Sequence, residues 1–249
     1  MKPTAVLCAV PLSLLFHCLP TALWADGGGA EPELALLYDF QGVDGTQVPD
    51  GSGHGHTGTL VAGEIVFGRN KQAVQFAGKG SVTMTQVSPD LDFASRALTV
   101  GAMCRPSAPD GVIIAMGDTS DGFSLYLQAG VPHFAVRVQG ALHRVAAAEA
   151  VDLDQWVHLA GVIDDEGKLS LLVNAWPVAE SQGGLLARSP VGSLSVGADV
   201  APLVGEYGSP LHWQGLLQDA RVYWGAVSRE RDRDLLAEWA NRPGCGCRK

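Results

Sequence analysis

Six polar side chains lie along three predicted strands near the middle of the chain, with a spacing that suits a sugar-binding surface. They are Tyr126, Gln128, His133, Arg137, Gln139 and His143. Because neighbouring side chains of a strand point to opposite faces, the apolar residues between them turn to the core and the polar row turns away from it. Aromatic rings and planar hydrogen-bonding groups bind sugars, so the row predicts a carbohydrate site. The alternative is the ordinary solvated face of a sandwich.

Other reactive side chains do not complete a catalytic or metal-binding set. His54 and His56 could be metal ligands, but two ligands alone do not close a site. The segment from Cys104 approaches a sulfatase signature, yet Ala108 stands where an arginine is required, so we interpret Cys104 as a buried strand thiol. Neither a G-x-S-x-G elbow nor a phosphate-cradling loop is present.

The elements that must position the polar row are short strands separated by turns. Apolar or alternating runs at residues 34–40, 73–76, 81–85 and 97–104 precede a meander at 112–116, 123–128, 133–139, 142–148, 156–163 and 169–174. This pattern predicts an all-β protein, an antiparallel two-sheet jelly-roll sandwich. The sequence predicts one helix, residues 229–241, with Ser228 as its N-cap and with Leu235, Leu236 and Trp239 on its apolar face.

Three blocks of sequence resemble the LamG-like jelly-roll domains of the concanavalin A-like lectin/glucanase superfamily. The first is the loop DGSGHGHTG from Asp50, the second is the predicted hairpin WVHLAGVIDDEGKLSLLVN from Trp156, and the third is the closing strand GLLQDARVY from Gly215. The blocks follow the family order and together cover residues 34–240. One departure is Asn174-Ala175, where the family has Asn-Gly after the hairpin, so this turn is expected to be strained or of another type.

The resemblance also implies a calcium site between the first and last strands. The matching carboxylates are Asp39 and Asp219, and calcium would need further oxygen ligands from the Gly-rich loop and from water. The alternative is that Asp219 pairs with Arg221 or another nearby base. Glucanases of this fold carry a strand of the form E-x-D-x-E, which is absent here, so a non-catalytic binding protein is expected. A divergent glycan-cleaving enzyme and a structural part of a secreted assembly remain alternatives.

The chain begins with features of an export signal. Residues 1–25 have one charge, Lys2, then an apolar stretch and an alanine at the expected cleavage point, which predicts a signal peptide and an extracellular or periplasmic protein. Residues 26–33 read as a flexible spacer, residues 34–241 as one jelly-roll domain, and residues 242–249 as a tail. The formal charge of −9 argues against nucleic acid as a partner. A glycan or an extracellular protein is the expected partner, without membrane insertion. The pairing of Cys104, Cys245 and Cys247 and the oligomeric state stay open.

Overall fold

The computed structural model describes residues 32–86, 89–200, 203–207 and 212–227, and these residues form an all-β fold without a helix. The strands are β1 (Glu33–Tyr38), β2 (Gln47–Val48), β3 (Gly58–Phe67), β4 (Gln72–Met84), β5 (Leu98–Pro106), β6 (Gly111–Gly117), β7 (Gly122–Gln128), β8 (Val131–Val138), β9 (Ala141–Ala146), β10 (Val157–Ile163), β11 (Lys168–Val173), β12 (Trp176–Gln182), β13 (Ser195–Val196) and β14 (Gln214–Trp224). Their pairings are antiparallel, which confirms the predicted fold class. The predicted helix at 229–241 lies outside the described residues.

The long strand β4 connects the two layers of the sandwich. The first sheet runs β12-β11-β10-β5-β14, with β1 beside the second half of β14; the second sheet runs β4-β13-β6-β7-β8-β9, with β3 beside β4. The first half of β4 pairs with β14 and the second half with β13. Between these halves Gly80 has φ +96°, and a Cβ atom there would lie 2.2 Å from the Val61 carbonyl oxygen. The sharp bend of β4 therefore requires glycine.

One hydrophobic core lies between the two sheets. It includes Leu159 and Leu171 of the first sheet with Phe134 and Val136 of the second. Gly161 on β10 faces the Phe134 ring so closely that a Cβ atom would lie 2.2 Å from Cδ2 of that ring. The glycine thus lets a large aromatic side chain of one sheet fill the space against the backbone of the other.

The hairpin predicted from residue 156 is present as β10 and β11. Asp164 closes its turn, because its Oδ1 accepts hydrogen bonds from the Glu166 and Lys168 amides at 3.0 and 2.9 Å. The following turn, Asn174-Ala175, places both residues at positive φ, 50° and 66°. The Asn174 side chain also accepts a hydrogen bond from the His158 amide at 3.0 Å. The Asn-Ala pair therefore adopts a left-handed turn, in which the alanine carries a conformational cost that glycine would not.

Candidate carbohydrate-binding face

The central part of the outer face of the second sheet holds three of the six predicted site residues. Tyr126 on β7 lies directly opposite His133 on β8, and their rings stack with centroids 5.0 Å apart and an interplanar angle of 8°. Arg137 lies farther along β8 on the same face, since residues two apart on a strand share a side. The alternation in the sequence therefore places these three side chains together, as predicted.

A segment that is distant in sequence covers this face. The Tyr207 ring packs edge-on against Tyr126, with centroids 4.6 Å apart and an interplanar angle of 65°. The Tyr207 hydroxyl donates a hydrogen bond to the Asp199 carboxylate and lies 3.2 Å from the Ser124 hydroxyl oxygen. Tyr126 is consequently 0% exposed, so the open aromatic platform expected from the sequence is closed over this ring. Burial and the nearby Asp199 charge raise the pKa of the Tyr207 hydroxyl, which keeps it protonated.

Arg137 fastens the covering segment, residues 203–207, to the sheet. Its Nε donates a hydrogen bond to the Val204 carbonyl oxygen at 2.5 Å, and its NH1 donates to the Gly140 carbonyl oxygen at 3.0 Å. The remaining guanidinium nitrogen lies 3.8 Å from Glu206 Oε1. Because these contacts use the guanidinium donors, the geometry makes Arg137 a positioning residue for the cover.

Arg144 is a further polar side chain of this face that the sequence analysis does not include. On β9, Arg144 pairs with Ala135 of the outer face, whereas His143 pairs with Val136, which belongs to the core. The polar row therefore continues through Arg144, and His143 lies on the core side of the sheet. Burial raises the pKa of the Tyr126 hydroxyl, and the positive charge of Arg144 opposes that rise. The register across the β8–β9 turn was the signal that could have found it.

His133 sits between the buried ring of Tyr126 and the Arg144 charge. Burial lowers the pKa of His133, and the positive charge of Arg144 lowers it further, so the ring is neutral near pH 7. Its Nδ1 is buried and has no hydrogen-bond partner among the described residues.

The two predicted glutamines lie at the ends of strands rather than in the centre of the face. Gln128 is the last residue of β7 and is half-buried. Gln139 is in the β8–β9 turn with φ 50°, and its backbone N–H donates a hydrogen bond to Asp121 Oδ1 at 3.4 Å. The structure therefore does not bring the two glutamines together with Tyr126 and His133 in the middle of the sheet.

The predicted calcium ligands Asp39 and Asp219 lie at the junction of β1 and β14. The pairing of Tyr38 with Ala220 brings the backbone of Asp39 beside that of Asp219. The Asp219 side chain is 0% exposed and forms an ion pair with the Lys71 ammonium, while Arg221 NH2 lies 3.6 Å from its Oδ1. The Asp39 side chain accepts a hydrogen bond from the backbone N–H of Gln41 at 3.0 Å, within its own turn. Two cations already neutralise Asp219, so these residues do not fit calcium and match the ion-pair alternative.

His54 and His56 contact each other and neighbouring residues in the described structure. The two rings stack with centroids 6.0 Å apart, His54 packs edge-on against Trp224 at 5.0 Å, and its Nε2 lies 3.5 Å from Glu33 Oε1. Within the described ranges, no group of three or more His, Cys, Asp and Glu side chains could hold a metal ion. The same part of the chain contains no helix with the length and hydropathy needed to cross a membrane.

Comparison with known proteins identifies relatives at the level of family and fold. Residues 76–231 match the family model Laminin_G_3, described as the concanavalin A-like lectin/glucanases superfamily. No curated protein matches the sequence significantly.

Solved structures with the same fold include binding domains of secreted enzymes and toxins. One is domain 4 of AbnA, an extracellular arabinanase from Geobacillus stearothermophilus in complex with arabinotriose, with 18% identity, TM-score 0.64, and coverage of 83% of this chain and 99% of that one. Another is the binding domain of Paraclostridial Mosquitocidal Protein 1, with 13% identity, TM-score 0.66, and coverage of 84% and 53%. A third is the receptor-binding domain of botulinum neurotoxin mosaic serotype C/D, with 12% identity, TM-score 0.67, and coverage of 84% and 52%. This chain thus spans about half the length of the toxin domains.

Proposed function

Because the chain belongs to the Laminin_G_3 family of the concanavalin A-like lectin/glucanase superfamily, we propose that it is an exported module that binds carbohydrate without cleaving it. The proposed site is the outer face of the second sheet, at the rim formed by His133, Arg144 and Tyr207. Its fold neighbours include an arabinanase domain in complex with arabinotriose and toxin receptor-binding domains, which are consistent with a binding role. The apolar residues 5–19 and the small-residue end of 1–25 support export.

The observation that carries the proposal is the aromatic stack beside an arginine. Tyr126 is buried between His133 and Tyr207, and it holds both rings in fixed positions. The partly exposed His133 and Tyr207 supply apolar surface with polar edges, which is the combination that a sugar ring requires. The guanidinium of Arg144 adds several coplanar N–H donors on the same face of the sheet.

A glycan array with two histidine variants tests this site. His133 and His143 lie on neighbouring strands but on opposite sides of the sheet, so each is a matched control for the other. We expect His133→Ala to lose at least about 1 kcal/mol of binding free energy, the value of a typical hydrogen bond, and His143→Ala to bind like the wild type. Melting curves must show that both variants are folded. An array without a bound glycan, or equal loss in the two variants, would contradict the proposal.

A further inference from the structure

The charge on Arg144 has no acidic partner within the part of the chain that the structure describes. Arg144 is exposed on β9, and Glu206 and Asp199 of this face pair with other groups. Glu206 lies beside Arg137, and Asp199 accepts hydrogen bonds from the Tyr207 hydroxyl and, at 3.1 Å, from the Val204 amide.

The two arginines of the outer face differ in availability. Arg137 donates to two backbone carbonyl oxygens and is held by the covering segment. Arg144 is exposed on the same face, beside Ala135, and its positive charge acts on the neighbouring Tyr126 and His133 side chains. Of the five N–H donors of a guanidinium, Arg144 therefore keeps several for a ligand, in the planar arrangement that matches a carboxylate.

The His133 ring lies beside Arg144 on this face and is held in place. It stacks on Tyr126 with centroids 5.0 Å apart and an interplanar angle of 8°. Its Nδ1 is buried, so this nitrogen is not open to a ligand at the surface. The exposed part of the ring therefore offers a bound sugar apolar contact next to the guanidinium.

From these contacts we infer that the proposed carbohydrate site takes an acidic sugar, with the sugar carboxylate on the Arg144 guanidinium and the pyranose or furanose ring against Tyr207 and His133. This inference rests on the proposed function, because it specifies the class of glycan that the same face binds. Charge-assisted, bidentate pairing to arginine is stronger and more specific than a neutral hydrogen bond. The carboxylate therefore supplies the selectivity, and the aromatic edges supply contact that is common to many sugars.

Calorimetric titration with paired oligosaccharides tests the inference. The probes are trimers of galacturonate, glucuronate and mannuronate, each in its native form and in the form whose carboxylates are reduced to hydroxymethyl groups. We expect at least one native trimer to bind at least about tenfold more tightly than its reduced partner, since a charge-assisted hydrogen bond contributes more than a neutral one. Raising the salt concentration should weaken this binding, because exposed charges are screened.

Arg144→Gln, with Arg96→Gln as a control, separates this site from general charge effects. Arg96 is exposed and lies outside the outer face of the second sheet. We expect Arg144→Gln to remove the preference for the native trimers and Arg96→Gln to retain it. Equal affinity for the native and reduced trimers would overturn the acidic-sugar inference and leave carbohydrate binding intact. Absence of binding to all six trimers and to the glycan array would overturn both proposals. Binding to sulfated glycans of the array, with none of the native trimers bound, would overturn the carboxylate assignment.

Discussion

At the scale of single residues, the proposed site combines side chains that have different structural roles. Tyr126 is fully buried and supports the rings on both sides of it, while Arg137 holds the covering segment. His133, Tyr207 and Arg144 remain partly or fully accessible. A change at Tyr126 is therefore expected to affect folding and binding together, whereas a change at Arg144 affects binding alone.

His158 gives the protein a measurable pH dependence of stability. Burial, together with the positive charge of Arg221, lowers the pKa of His158 to about 3 in the folded state. The unfolded chain takes up a proton near the ordinary pKa of about 6.5, so this contribution to stability is complete above that pH and decreases as the pH falls below it. Between pH 6 and pH 4, the loss is expected to be about 1.4 kcal/mol per pH unit.

Urea unfolding of the wild type and His158→Gln at several pH values checks this prediction. The variant lacks the titrating ring but retains a polar side chain, so its free energy of unfolding should decrease less steeply between pH 6 and pH 4. All carboxylates are shared by the two proteins and contribute equally to both curves. Parallel curves for the two proteins would show that His158 takes up its proton as readily in the folded state as in the unfolded state, which contradicts the prediction.

Sequence alternation placed Tyr126, His133 and Arg137 on one face but could not predict what covers them. The contact between Tyr207 and Ser124 joins residues 83 positions apart, and local periodicity contains no information about such pairs. Arg144 was missed for a related reason, because the turn at Gln139 and Gly140 sets the register of β9 against β8. Alternation predicts which side chains of one strand share a face. Which face of the next strand lies on the same side of the sheet depends on the turn that sets the register between the two strands.

At the scale of elements, most strands of the meander follow from alternation and turn residues, and the exceptions have physical reasons. Separate strands were predicted at 73–76 and 81–85, but the structure joins them as β4, because Gly78 and Gly80 bend a continuous backbone. β12 was not predicted, since Pro177 interrupts its pattern. It is an edge strand, where a missing backbone N–H is tolerated.

The bend in β4 makes Gly80 far less replaceable than a glycine in an open loop. In Gly80→Ala, the new Cβ atom would lie 2.2 and 2.6 Å from the carbonyl oxygens of Val61 and Ala62, which cannot move independently of β3. We expect a loss of more than about 3 kcal/mol in the free energy of unfolding, or failure to fold. Gly53→Ala is the control, because Gly53 has a similar φ of +94° and no atom within 4 Å of the added Cβ.

The control isolates the cost of the backbone conformation, which is expected to be about 1–2 kcal/mol. Thermal or urea unfolding of the two variants gives the comparison directly. Similar stabilities of Gly80→Ala and Gly53→Ala would mean that β4 can shift away from β3 without penalty, in contradiction to the close packing described above.

At the scale of the whole molecule, the Lys71–Asp219 ion pair links the β3–β4 turn to the last strand. The Gln218 side chain strengthens the same junction, since it accepts from the Arg69 amide at 3.0 Å and donates to Asn70 at 2.9 Å. Removal of one member of a buried ion pair typically costs about 3–5 kcal/mol, because the other charge stays buried. Because Arg221 stays 3.6 Å from Asp219 in Lys71→Met, this variant is expected to lose only part of that value, and melting curves of the variant and the wild type measure the loss.

Calcium dependence is tested in the same series of melting curves. Because Lys71 and Arg221 already neutralise Asp219, we expect the same melting temperature for the wild type in excess calcium and in excess chelator. Elemental analysis must confirm that the chelated protein is free of metal. A melting temperature that rises with calcium, with the difference abolished in Asp219→Asn, would support the calcium site instead.

The pairing of β1 with β14 has a mechanical consequence. The described chain enters this pair at Pro32 and leaves it at Gly225, and a Cβ atom on Gly225 would lie 3.2 Å from Pro32 Cα. The adjacent pair in the ladder is Glu33 with Trp224. A pulling force applied at Pro32 and Gly225 would therefore load the hydrogen bonds of β1 one after another, as in opening a zipper, instead of loading them all at once in shear. Under tension β1 should peel away first, at low force, while the sheets beyond it stay folded.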